Sequence, residues 1–234
     1  MARSGSKRTT ATTQTAPTGQ GPQPPRLPAK LEPRDAAGLT SELDWTDVEI
    51  TGDVSGVELR RLAITSCRIE QCRLTAADFA GARFIDVLFD SCELSGADLT
   101  DAGMKRVEFR DCRMSGVQIS NARLSDVQFS GCKLDGANFR MAATERVLFD
   151  QTVLHGADFS SAGLPSVQIL RSDLTGADFS QARLRGARLN GSTLVDVLGA
   201  GSLRDLTIDP SQVMALAYSL FGSLGIAVTD PNAD

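Results

Sequence analysis

The sequence predicts an all-β chain: a parallel, four-sided β-solenoid closed by one C-terminal helix. Three observations carry this expectation. From Leu59 to Leu194 an apolar residue recurs at every fifth position, with Thr144 the one exception among 28 positions. Residue types also recur at a period of 20. Beyond the repeats, Val213, Leu216, Leu220 and Leu224 stand at helical spacing.

The first segment, residues 1–37, is rich in Ser, Thr, Gln, Pro and Gly and carries six basic against two acidic residues. Such a composition buries too little apolar surface to offset the entropy of ordering. A disordered basic tail is expected, either a solvated extension or a weak attachment to an anionic partner. Residues 38–54 leave the five-residue frame and include Trp45, Val48 and Ile50. They are expected to cap the first coil.

Residues 55–198 form the repeat. At 41% apolar content, a run of 27 hits in 28 has a random chance on the order of 10^-9. Two residues before each hit stands a small or β-branched residue, such as Cys72, Ala77, Ala82 and Val87; Leu62 alone is larger. A period of five suits neither a helix nor an ordinary strand. Two inward positions in five require a turn in every unit, so each unit forms one side of a coil. Aligned in twenties, Gly96, Gly116, Gly136, Gly156 and Gly176 share a column, as do Val87, Val107, Val127, Val147 and Val167. Phe89, Phe109, Phe129 and Phe149 form another, and Cys72, Cys92, Cys112 and Cys132 a fourth. Twenty is four fives, so each coil has four sides and like residues stack. Parallel backbones in register about 4.8 Å apart produce such ladders. Seven coils then make a rod roughly 35 Å long.

Residues 199–234 are expected to close the rod, with a helix over about 210–224. Asp209-Pro210 suits an N-cap and first helical position, and Gly225 suits the stop. Val213, Leu216, Leu220 and Leu224 should cover the last coil. Met214, Tyr218 and Phe221 widen the apolar arc to about 200°. That surplus predicts a homodimer contact, unless Ile226-Ala227-Val228 folds back over it.

Units such as Ala97-Asp98-Leu99-Thr100-Asp101 and Ala157-Asp158-Phe159-Ser160-Ser161 resemble the A-(D/N)-L-x-x unit of pentapeptide-repeat proteins. The resemblance covers residues 55–198 and implies a right-handed quadrilateral β-helix. Some members of that family confer quinolone resistance by imitating DNA and binding DNA gyrase. The unbroken solenoid and C-terminal dimerising helix are similar to that subset, which implies DNA gyrase as a possible partner.

Glu58, Asp78, Asp98, Asp158 and Asp178 share one side with Gln118 and Asn138; they are the candidate interaction surface, since a convex side lacks the cleft a catalytic pair needs. A second side is basic: Arg83, Lys105, Arg106, Arg123, Arg146, Arg183 and Arg185 face Asp86, Asp126 and Glu145. It lacks the aromatics and motifs of a nucleic-acid surface, so no direct nucleic-acid binding is expected. One row of inward thiols cannot surround a metal tetrahedrally, and is expected to fill a corner as small hydrophobes. The single His155 points outward without a nucleophile. No catalytic, cofactor or metal residues are assigned, and no enzyme activity is expected. The chain reads as a scaffold or interaction module with an unknown protein partner.

The net charge of -5 is uneven: residues 55–198 hold 17 basic and 18 acidic residues. No apolar run approaches the ~18 residues that span a membrane, and no secretory h-region follows the N-terminal cations. Five Cys without a disulfide framework place the expected location in the cytoplasm.

Overall fold

A computed structural model describes residues 21–38 and 45–229. The chain winds into the right-handed quadrilateral β-helix of about seven turns, with one C-terminal helix. Strands β4 (Ala63–Glu70), β5 (Arg83–Asp90), β6 (Gly103–Arg110), β7 (Arg123–Ser130) and β8 (Ala143–Asp150) stack in parallel, followed by β9 (Gln168–Leu170). Each eight-residue strand turns one corner and so covers two sides. The register between coils is 20: Phe89 pairs with Phe109, which pairs with Phe129 and on to Phe149. The other two sides are held by single bridges, such as Asp78 with Asp98 and Glu93 with Arg113.

Every fifth residue turns the corner in the left-handed conformation. Within one coil these are Asp101, Arg106, Asp111 and Gly116, with φ between 51° and 67°. Glycine takes such angles freely, and Asn and Asp tolerate them better than most. Glycines are commonest in the column of Gly96, Gly116, Gly136, Gly156 and Gly176, while the other corners hold mostly polar residues whose amides bond between coils.

The core is a column of side chains. Phe89, Phe109, Phe129 and Phe149 stack face to face with centroids 4.6, 4.9 and 4.8 Å apart. Phe139, Phe159 and Phe179 make a parallel stack at 4.9 and 5.2 Å. These spacings match the ~4.8 Å strand separation, so coil pitch and ring stacking reinforce each other. Thr144 is buried in the apolar column and donates its hydroxyl to the Gly163 carbonyl at 3.1 Å.

The N-terminal segment corrects the expectation of a disordered tail over its described part. Residues 22–28 lie along the rod, with Pro22, Pro25 and Leu27 half-buried. β1 (Glu32–Asp35) then pairs in parallel with β3 (Val48–Thr51). The short β2 (Trp45–Thr46) and β3 pair onto β4 at a spacing of 19, putting Trp45 above Ile64 and Ile50 above Ile69. The cap thus begins at Glu32 rather than at residue 38, and it continues the coil one residue short. Backbone groups drive this ordering: β1 satisfies the open edge of β3, which composition cannot reveal. Residues 1–20 and 39–44 of the expected tail and cap lie outside the described residues.

At the other end, Asp209 caps a 3-10 turn, Pro210–Gln212, that leads into α1 (Val213–Ser223). The Asp209 carboxylate accepts from the Ser211 amide, and Gln212 closes the capping box. Gln212 is buried and donates to the carbonyls of Leu189 and Ser192, both at 2.6 Å. Gly225, at φ 70°, follows the helix.

Candidate functional site

The acidic side is built into the turns. Asp78, Asp98, Asp158 and Asp178 each accept, through Oδ1, the amide of the residue two places on, at 3.0, 2.8, 2.8 and 2.7 Å. Asn138 does the same for Arg140 at 3.0 Å and donates to Gln118 at 2.8 Å. The repeated Asp or Asn is therefore a turn residue, its short side chain standing in for a backbone acceptor. Arg60 binds Asp78 at 2.5 Å, and Arg140 lies 3.5 Å from Asp158. Burial raises the Asp78 pKa, but the Ala80 amide and Arg60 outweigh it and hold the carboxyl below its ordinary value. Glu58 is exposed on the first coil. The five candidates do share one straight side, but two of them are already paired.

The basic side separates into two populations. At its corner, Arg106 grips Asp86 through Nε and Nη2, both at 2.6 Å. One turn pair further on, Arg146 grips Asp126 at 2.6 and 2.8 Å. Asp86 and Asp126 are 7% and 3% exposed. Their second partners come from the N-terminal strap: the Arg26 amide donates to Asp86 at 2.9 Å and the Gln23 amide to Asp126 at 3.1 Å. Arg146 and the strap pull the Asp126 carboxyl below its usual range against burial. Burial opposes the same shift at Asp86, where Arg106 and the Arg26 amide prevail. Arg106 and Arg146 are thus neutralised in place. Arg83, Lys105, Arg123, Arg183 and Arg185 remain exposed on the flat of that side.

The cysteine column does more than fill a corner. Cys72, Cys92, Cys112 and Cys132 are free and buried, and each thiol donates to a carbonyl of the preceding coil. The acceptors are Ile50, Ile69, Phe89 and Phe109, at 3.2 to 3.6 Å. The column continues as Thr152, Ser172 and Ser192, with the Ser192 hydroxyl donating to Ile169 at 3.0 Å. Gln212 ends it on Leu189. A small donor at this position serves a carbonyl turned inward at the corner. Neighbouring thiols and burial push Cys72 and Cys112 up, while the same neighbouring thiols pull Cys92 and Cys132 down against burial. Among the described residues no group of His, Cys, Asp and Glu is arranged to hold a metal ion.

The C-terminal helix leaves an apolar patch. Leu216 is buried, with Leu220, Leu203, Leu206 and Ile208 packed at the core's end. Met214, Tyr218 and Phe221 face solvent, as expected; Val213 and Leu224, expected inward, face solvent with them. Gln212 occupies the seat over the coil end and rotates the helix so that these two point away. Ile226 and Val228 are also exposed, so the post-helix segment does not cover the patch. Exposures across these seven residues run from 41% to 69%.

A family model described as pentapeptide repeat region matches residues 62–139 and 122–197, together more than half of the chain. The chain belongs to the pentapeptide-repeat family. Among solved structures, trypsin-treated QnrB1, a plasmid-mediated fluoroquinolone resistance protein, is similar at 23% identity and a TM-score of 0.53. That match covers 77% of this chain and 99% of the other. Full-length QnrB1 gives 22% identity, a TM-score of 0.51 and coverages of 73% and 97%. HetL, a pentapeptide repeat protein from the cyanobacterium Nostoc sp. strain PCC 7120, gives 19% identity over 70% of this chain and 86% of its own, at a TM-score of 0.32. At these identities the likeness is one of fold. No curated protein sequence matches the chain.

In this pentapeptide-repeat rod, sequence reasoning found the columns but missed the strap's seat. Asp86 and Asp126 entered only as charges offsetting a basic side. The one available signal was their alternation with Arg106 and Arg146 at a strict spacing of 20. No helix of the described residues is long and apolar enough to cross a membrane.

Proposed function

We propose that this pentapeptide-repeat protein is a non-enzymatic binding rod that dimerises end to end through its C-terminal helix and presents its straight sides to a cytoplasmic protein partner. The observation that supports it best is the uncovered patch of Met214, Tyr218 and Phe221, extended by Val213 and Leu224 and adjoining the exposed Leu198 of the last coil. A contiguous apolar surface of this kind marks an association site. A two-fold axis through α1 buries two copies of the patch at once. The side-chain chemistry agrees with a scaffold: carboxylates serve turns, thiols serve carbonyls and corner cations are paired. Sedimentation equilibrium at tens of micromolar tests the dimer. The expected mass is about twice the 24.8 kDa of the chain, falling to the monomer in Phe221→Asp/Met214→Asp. A monomeric wild type sinks the reading.

A second reading is imitation of DNA toward DNA gyrase, the partner implied by resemblance to the quinolone-resistance subset. The straight row of Asp98, Asp158 and Asp178 favours it, as does the QnrB1-like fold. Charge density works against it. Duplex DNA carries one charge per ~1.7 Å, whereas residues 55–198 differ by one charge in 17 basic and 18 acidic residues. Weak or no protection of gyrase is expected in a supercoiling assay. Potent inhibition, relieved by charge reversal at Asp78, Asp98, Asp158 and Asp178, would reverse the order of the two readings.

A further inference from the structure

We propose that the corner carrying Asp86 and Asp126 is a docking site for a proline-rich segment of a partner protein, and that residues 22–28 are its built-in competitor. The argument is one of register. The amides of Gln23 and Arg26 are three residues apart and bind carboxylates two coils apart. Two coils span about 9.6 Å at ~4.8 Å each. Three residues of a left-handed polyproline helix rise about 9.3 Å and bring the same face round again. A β-strand would turn every second residue to the rod and present these two amides to opposite sides. Pro22, Pro24, Pro25 and Pro28 hold their own φ near that of a polyproline helix and bias each preceding residue to extended backbone. Gln23 and Arg26 are the positions in 22–28 where N–H groups meet the carboxylates.

The receiving groups are preorganised. Each carboxylate is clamped on one face by an arginine fork, Arg106 or Arg146, which leaves Oδ1 to accept one more donor. Recognition is tolerant of sequence, because every hydrogen bond from residues 22–28 to the rod is made by backbone. Any proline helix with free amides three residues apart meets the same demand. The strap holds the seat through proximity: it is joined to the rod through β1, and a short tether gives an effective concentration of order millimolar. A partner segment must compete with that. The inference deepens the reading of the chain as a binding rod, but the corner is remote from α1, so failure of dimerisation leaves it standing.

The test uses the full chain carrying Gln23→Pro and Arg26→Pro, which keeps the strap a proline helix and removes both donors. A fluorescein-labelled peptide of residues 20–30 is the probe, with a second peptide bearing proline at both positions as control. Fluorescence anisotropy should show saturable binding of the first peptide to the variant, at least about tenfold tighter than to wild type. The control peptide should bind at least about tenfold more weakly. In the unaltered chain, excess unlabelled peptide should speed hydrogen exchange at the Gln23 and Arg26 amides. Equal binding of the two peptides overturns the proposal, as does exchange at these amides that excess peptide does not change.

Discussion

Phe129 sits between Phe109 and Phe149 at 4.9 and 4.8 Å, with Phe139 edge-on at 6.1 Å. Its truncation removes contacts on three sides, and coils held in 20-residue register cannot close the gap. Phe129→Ala should cost roughly 3–5 kcal/mol, read as a shift in the urea midpoint; a loss below about 1 kcal/mol contradicts the stacked core. The stack was legible because an aromatic every 20 residues has no other use. Asp126 was not, because its partners come from the next coil and from a segment a hundred residues away. Its native pKa is lowered, so its contribution to stability is complete above the unfolded value of about 3.9 and is lost as pH falls through the native value. Asp86 behaves alike. Wild type should therefore lose stability between about pH 4 and lower pH. Asp126→Asn should be less stable at pH 7 by roughly 1–3 kcal/mol and lose less on acidification. Parallel urea titrations at pH 7 and pH 3 decide this; an equal acid loss in both proteins would remove Asp126 from the account.

At the scale of elements, the repeat could be read because one periodic demand, two inward residues in five, writes itself into every unit. The N-terminal segment could not be read as well, since it is ordered by backbone groups rather than by apolar pattern. β1 has no buried residue of its own and is held by pairing with β3. Polar composition is blind to such ordering. Deleting residues 1–37 should therefore lower the melting midpoint by several degrees, by uncovering the β3 edge, Asp86 and Asp126. Circular dichroism of the truncated chain checks this, and an unchanged midpoint would return the segment to a dispensable tail. At the other end, helical spacing located α1 and its Asp209 cap, yet misjudged its rotation. Gln212 is polar and so escaped the apolar count, although its two carbonyl partners decide which helical face meets the rod.

For the whole molecule, the sides and the ends have different tasks. Most side-chain hydrogen bonds along the coils return to the chain's own backbone or to the next coil, which makes a stiff rod with regular rows. The N-terminal end is covered by β1, paired on β3, while the strap runs along one corner of the rod. The C-terminal end is closed by a helix whose outer face is apolar; the dimer proposed there would extend the rod rather than thicken it. Small-angle X-ray scattering at tens of micromolar tests this most directly, comparing wild type with Phe221→Asp/Met214→Asp. Wild type should show close to twice the maximum dimension of the variant at the same cross-section. Equal maximum dimensions, or a doubled mass with a thicker cross-section, would contradict a rod joined end to end through α1.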